Sequence, residues 1–302
     1  MSQAVPTLSG HAFSAKLGSY VALTKPRIIE LLLVTTVPAM VVAQRGLPDV
    51  WLMIATVVGG TMAAGGANAI NMVVDRDIDA VMERTRNRPL VTGAMSPQSA
   101  LTFALVLELA AFGWLWGFVN LLSATLAICA TAFYVFVYTL WLKRSSSQNI
   151  VIGGAAGAAP VLIGWAAVTN QLAWAPWVMF AIVFFWTPPH FWALAIKYRD
   201  DYTRARVPML PSVTGARAVG VQIVTYSVIV WACSLLLIPV ADLGWVYTVV
   251  AVASGAVFVG WSVRVLRSPT TRNAMRLFGY SITYLTVLFV AMAVDQLVVH
   301  GL

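Results

Sequence analysis

Only eleven of the 302 residues are acidic, and six of them fall in two short stretches. The first reads Asn71-Met-Val-Val-Asp75-Arg76-Asp77-Ile78-Asp79, with Glu83 just beyond. Four-residue spacing on a helix sets Asn71, Asp75 and Asp79 on one face, each about 6 Å further along the axis. Such a row repels itself unless it shares a cation. Mg2+ is typically held by one or two carboxylates plus substrate phosphate oxygens. Asp77 points to the other side of the same helix and is expected to pair with a neighbouring arginine. The second stretch, Lys197-Tyr198-Arg199-Asp200-Asp201-Tyr202-Thr203-Arg204, offers a second carboxylate pair facing the first. Behind each stretch comes a basic, proline-containing segment, Arg84 to Leu90 and Arg204 to Pro211. Carboxylates for a metal, with guanidinium groups for phosphate oxygens, make a diphosphate clamp. One such cluster alone would suit an ordinary salt-bridged loop. Two of similar layout, about 125 residues apart, read as a weak internal repeat around one site.

The elements that must position these residues are set by composition. Hydrophobic residues make up 60% of the chain and charged residues 10%, against about 25% charged in soluble domains. A bilayer crossing takes roughly 20 apolar residues. Nine runs qualify: 28–44, 50–74, 99–117, 120–142, 150–168, 172–196, 217–239, 243–263 and 277–299. The fold class expected is an all-α polytopic membrane protein of nine spans, with a tail at 1–27 and one membrane domain at 28–302. Ser96-Pro97 before the third run is a cap followed by proline at the first helical position. Gly153 and Gly157 form a small-xxx-small pair that lets helices approach closely. With the N-terminus inside, eighteen of the nineteen Lys and Arg residues fall on one side, leaving only Arg45 outside. Basic loops stay cytoplasmic, so a cytoplasmic N-terminus and an external C-terminus are expected. The first run carries Glu30 at its start and a long preceding tail, which argues for a retained span over a cleaved signal. Topology accounts for the net charge of +8, and no nucleic-acid partner is expected. Cys129 and Cys233 lie in apolar runs and read as small buried hydrophobes.

His190, Glu108 and Asp295 fall inside the runs. His190 follows Pro188-Pro189 in the sixth run, whereas His11 and His300 stand near the ends. A titratable group within a span is functional by default, and imidazole is a common axial ligand of heme iron. The alternative is a hydrogen bond to a neighbouring helix. Glu108 and Asp295 lie in the third and ninth runs; they are expected to meet polar groups across helices or to lie near the interface, with no assigned role.

At the Asp-rich stretches the sequence resembles the UbiA superfamily of intramembrane prenyltransferases. Asn71-x3-Asp75-x3-Asp79, followed by Met82, Arg84-Thr85 and Arg88-Pro89, is similar to the first motif of its heme-farnesylating branch. Asp200-Asp201-Tyr202 through Val207-Pro208-Met209-Leu210-Pro211 is similar to the second. Leu23 to Arg27, Tyr138 to Arg144, Asn149 to Gly157 and Pro188-Pro189-His190-Phe191-Trp192 fit as well. The likeness is detailed over about 20–220; one departure is Arg206, where the pattern has glycine. The resemblance implies a helical bundle around a central cavity, with both Asp-rich loops at its cytosolic mouth. It implies farnesyl diphosphate as donor, Mg2+ as cofactor and heme B as acceptor. Asp75, Asp79, Asp200 and Asp201 would hold the metal and carry catalysis, helped by Asn71. Lys25, Arg76, Lys143, Arg144 and Lys197 are the candidates for the phosphate oxygens, and His190 for the heme. Partners expected are the bilayer and, left open, a downstream heme-modifying enzyme or terminal oxidase. A prenyltransferase for an aromatic quinone precursor would share both motifs. A transporter would place its charges near the bilayer midplane, whereas these acids stand at helix ends.

Overall fold

The computed structural model describes residues 8–299, with the side chains of 8–15 and 27–33 outside that description. His11, Glu30 and His300 therefore lie outside the described side chains. The described residues are helical and contain no strand. In order they form α1 (Leu8–Thr24), α2 (Arg27–Gln44), α3 (Val50–Val74), α4 (Arg76–Val81), α5 (Pro97–Phe118) and α6 (Leu121–Ala132). A π-helical stretch, Phe133–Leu142, continues α6 into α7 (Lys143–Ser145). Then come α8 (Asn149–Thr169), α9 (Trp174–Lys197), α10 (Arg199–Arg204), α11 (Leu210–Val213), α12 (Ala216–Val240), α13 (Trp245–Arg267) and α14 (Thr271–Val299). Among the described residues eight helices are long and apolar enough to cross a membrane. The expected first span corresponds to α2, whose described apolar part is the shorter Val34–Gln44.

Polar side chains cap the starts of α3, α5 and α6. Ser96 Oγ accepts from Ser99 N at 3.1 Å, with Pro97 opening α5 as expected. Asp49 and Asn120 cap α3 and α6 in the same way. The helices then close a ring: α3 lies on α5, α5 on α6, α6 on α8, and α8 on both α2 and α9. α9 in turn meets α12 and α14, α13 joins those two, and α14 returns to α2. With no hydrophobic drive between helices in lipid, such seams lean on close fit and interhelical hydrogen bonds. Ser227 bonds Ser262 at 2.8 Å, Ser234 bonds Tyr284 at 2.7 Å, and Tyr247 donates to the Ser234 carbonyl at 3.0 Å.

Asp295 receives its role here. Its carboxylate, wholly buried on α14, accepts from the backbone N–H groups of Gly244 and Tyr247. Those are orphan donors at the start of α13, so Asp295 caps a helix 51 residues away in sequence. Of the Gly153–Gly157 pair, only Gly153 meets a neighbouring helix. A Cβ on Gly153 would lie 2.3 Å from the Tyr138 ring, and one on Gly157 would meet open space. Both glycines line a cavity.

The departure from the family pattern also has a local meaning. Arg206 is exposed and holds φ +52°, the left-handed region that glycine occupies at no steric cost. We expect Arg206→Gly to raise the stability of the purified protein by about 0.5–1 kcal/mol, through relief of that strain. Arg206→Ala should give no such gain. Apparent Tm in detergent distinguishes the two.

Candidate active site

α3, the π-helical stretch, α8 and α9 enclose a cavity of about 480 Å3. Its deeper wall is built from small residues, among them Gly60, Ala63, Ala64 and Ala67 of α3 and Gly153, Gly154 and Gly157 of α8. Aromatic rings complete it: Tyr134, Tyr138, Trp186 and Phe191. Its mouth is ionic, with Lys25, Asp79, Arg84, Arg88 and Lys143 all on the lining.

The carboxylate row forms as its spacing requires. After a one-residue break at Asp75 (φ −87°, ψ 10°) α3 passes into α4. The ladder nevertheless holds, with Asp75 N on the Asn71 carbonyl at 2.9 Å and Asp79 N on the Asp75 carbonyl at 2.8 Å. Asn71 Nδ2 donates to Asp75 Oδ2 at 2.6 Å and to Thr139 Oγ1 at 3.2 Å, and Lys25 Nζ donates to Asn71 Oδ1 at 3.2 Å. Lys143 pairs with the wholly buried Asp75, and Arg88 pairs with Asp79. On the other side of the helix Arg144 grips Asp77 with two hydrogen bonds of 2.7 Å, the pairing expected for Asp77. The guanidinium holds that carboxyl down to about pKa 2.

The π-helical stretch explains how Lys143 reaches this row. In an α-helix, residues 134 and 143 would point in opposite directions. With i→i+5 bonds each turn takes roughly one more residue, and nine residues close about two turns. Tyr134, Tyr138 and Lys143 therefore face the same cavity. Thr139, held by its own bond to the Tyr134 carbonyl at 2.9 Å, meets Asn71 from the same stretch.

The two Asp-rich loops meet at one end of the bundle. Arg84 of the first lies over the Tyr198 ring of the second, 5.9 Å from its centroid, and Tyr202 lines the same cavity. Asp201 is buried and paired with Arg204, whereas Asp200 is exposed. Of the expected phosphate candidates, Lys25 and Lys143 line the cavity. Arg76 is exposed, Arg144 is spent on Asp77, and Lys197 rests over the Tyr198 ring at 5.2 Å. Arg84 and Arg88, not among those candidates, take their place on the lining. The signal for them lay in the basic segment that follows the first acidic stretch.

No three Asp, Glu, His or Cys side chains converge as a ready ligand set among the described residues. Yet Asp75 Oδ1 is buried without a hydrogen-bond partner, with the Arg144 guanidinium 3.8 Å away. A carboxylate oxygen so placed beside Asp79 suits Mg2+, which needs few protein ligands when a diphosphate brings its own oxygens.

His190 is stacked between Trp186 and Phe278, with centroids at 4.3 and 4.5 Å. Its Nδ1 meets Ser281 Oγ of α14 at 2.7 Å. That is the hydrogen bond to a neighbouring helix weighed as the alternative above. His190 does not line the cavity; Trp186, Thr187 and Phe191 around it do.

A family model for UbiA prenyltransferases matches residues 32–292. The chain belongs to the UbiA prenyltransferase family. The prenyltransferase is 55% identical over 287 residues to a protein of Clavibacter sepedonicus named protoheme IX farnesyltransferase, covering 93% of each chain. It is 56% identical over 285 residues to protoheme IX farnesyltransferase 1 of Saccharopolyspora erythraea, covering 93% of this chain and 91% of that one. Among solved structures, one of a digeranylgeranylglyceryl phosphate synthase superposes with TM-score 0.77 at 16% identity, covering 93% of this chain and 98% of the other. A UbiA homolog from Archaeoglobus fulgidus, bound to GPP and Mg2+, does so with TM-score 0.62 at 14% identity, covering 91% and 99%. At those identities the likeness is one of fold.

Lys25 stands at the mouth of this cavity. It holds φ +51° in the turn between α1 and α2. Burial first, then the Arg88 and Lys143 cations, lower its pKa to about 7, against opposing pulls from Asp79 and Asp75. The folded value lies below the unfolded one, so in the free protein this group adds stability as pH rises above about 7. Anion binding runs the other way, because it needs the ammonium. The affinity of inorganic diphosphate is expected to fall as pH rises through 7, and Lys25→Met should flatten that part of the profile. A calorimetric titration at several pH values measures both.

Proposed function

We propose that this protein transfers the farnesyl group of farnesyl diphosphate to a vinyl group of heme B, giving heme O and diphosphate. The observation that carries the reading is the junction of an ionic mouth with a chamber lined by small apolar residues and aromatic rings. Relatives 51–56% identical over most of the chain and named protoheme IX farnesyltransferase support the acceptor. The homolog bound to GPP and Mg2+ supports a metal–diphosphate donor.

In this reading Lys25, Arg84, Arg88 and Lys143 hold the diphosphate oxygens, with Asn71 fixing the Lys25 ammonium. Asp75 and Asp79, with Asp200 and Asp201 of the second loop, would hold Mg2+. When bound, the metal offsets the negative charge that gathers on the departing diphosphate. Arg88 and Lys143 then have a double task. They neutralise Asp79 and Asp75 in the free protein and turn to the diphosphate as its ester bond breaks, where fixed cations favour the transition state over the substrate. Tyr134, Tyr138, Trp186 and Phe191 present ring faces that stabilise the allylic cation and exclude water from it. The heme vinyl group attacks the farnesyl carbon, and water completes the hydroxyethyl side chain. The mouth faces the cytoplasm, because the basic loops gather at its end.

His190 is proposed as the axial ligand to heme iron. A metal-bound imidazole characteristically has its second ring nitrogen held by a hydrogen bond, as Ser281 holds Nδ1. Neighbours on its helix already reach the cavity.

The deciding experiment incubates membranes containing the protein with heme B, farnesyl diphosphate and Mg2+, and chromatographs the extracted hemes. We expect a more hydrophobic heme with the mass of a hydroxyethylfarnesyl adduct, lost on adding a chelator and absent for Asp75→Ala. Unchanged heme B, with diphosphate released onto a quinone precursor, would overturn the acceptor. Separately, His190→Ala is expected to shift the Soret band of the heme-loaded protein. An identical spectrum would remove His190 from the iron.

A further inference from the structure

Glu108 is the buried acid of the bundle that the scheme above leaves unused. It is 6% exposed on α5, between α3 and α6. No Lys, Arg or His forms an ion pair with it among the described residues. A carboxylate held in a membrane span without a cation is costly, and such groups mark function. Two features of its surroundings show that the bundle is shaped to keep it. A Cβ on Gly66 would stand 2.6 Å from Glu108 Oε1, so α3 leaves a gap where the carboxylate rests. Glu108 Oε1 also accepts a hydrogen bond from Thr131 Oγ1 at 3.3 Å, and Thr131 lines the cavity. The hydroxyl is thus the link between a hidden carboxylate and the reaction chamber.

Depth matters as well. Gly66 precedes Asn71 by five residues, roughly 7 Å along the helix axis. From a diphosphate held at Asn71, that span covers the breaking ester bond, the new carbon–carbon bond and the carbon that water must reach.

Resting on the heme-transfer reading, we propose that Glu108, acting through the Thr131 hydroxyl, accepts the proton released when water adds to the acceptor. The farnesyl C–O bond breaks, with its electron pair leaving on diphosphate. The terminal vinyl carbon bonds to the farnesyl carbon, and the inner vinyl carbon becomes a porphyrin-stabilised cation. A water oxygen bonds to that carbon and loses one proton to Thr131, which passes its own to Glu108. The group balance is one water consumed and one proton held by the carboxylate. Without this acceptor the cation loses a proton from the neighbouring carbon to diphosphate, leaving an alkene lighter by one water.

Glu108→Gln keeps an acceptor for Thr131 but cannot take the proton. In the heme assay it should lower hydrated product by roughly 100-fold, while the lighter alkene adduct appears and diphosphate release persists. Thr131→Val should reproduce that product ratio and Thr131→Ser should restore the wild-type ratio, which keeps the test open if the Glu108 variant fails to accumulate. An unchanged ratio of hydrated to dehydrated adduct in Glu108→Gln or Thr131→Val overturns the inference and leaves the transfer reading standing. Wild-type protein that never farnesylates heme overturns both.

Discussion

The structure depends on a charge problem at one end of the bundle. Asp75 is wholly buried and Asp79 nearly so, yet neither lies in a soluble core that could relax around it. Removing one partner of a buried ion pair costs several kcal/mol, because the other charge is left without compensation. Each carboxylate therefore fixes a cation from another element. Asp75 draws Lys143 from the end of the π-helical stretch and Asp79 draws Arg88 from the following loop, whereas Asp201 pairs with Arg204 inside α10. The first two pairings tie the segments that carry Lys143 and Arg88 to the carboxylate row. In the proposed reading the same pairs are a functional reserve, since cations that neutralise carboxylates would turn to a diphosphate that arrives with its own counter-ion.

That reserve works only if Lys143 faces the row, and here the backbone departs from the ordinary helix. A continuous α-helix over Leu121–Ser145 would satisfy the bilayer equally well but would aim Lys143 away from Tyr134 and Tyr138. The wider turns re-aim it. Gly153 completes the adjustment by leaving room for the Tyr138 ring, so the aromatic wall and the ammonium come from one element against one bare helix face.

The division between what could be read from residue order and what could not follows the range of each interaction. Asn71, Asp75 and Asp79 lie one turn apart, so a local rule places them. Ser96 and Pro97 likewise announce the start of α5 on their own. The arginine that binds Asp77 was legible only in kind, because Arg144 comes from 67 residues away. Asp295 as the cap of α13, Gly153 as the seat of a ring and Arg84 on the cavity lining are all set by helix neighbours that hydropathy does not specify. The π-helical turns are invisible for a different reason: apolar length and composition are the same for either register. Arg206 shows the converse case: the family pattern marks the position as glycine, but only the structure shows the left-handed backbone that it holds there.

The small residues of the deep wall leave the chamber between the helices unfilled. In a soluble core a void of this size would forfeit the contacts of every side chain around it. Between helices in lipid the apolar drive to collapse is absent, since acyl chains are as apolar as leucine. Glycine and alanine on α3 and α8 can therefore hold a chamber open, provided other seams bear the association of the bundle. The hydroxyl links among Ser227, Ser262, Ser234, Tyr284 and Tyr247 lie on the α12–α13–α14 side, away from the cavity. One half of the ring is built to stay shut so that the other half has room for chemistry.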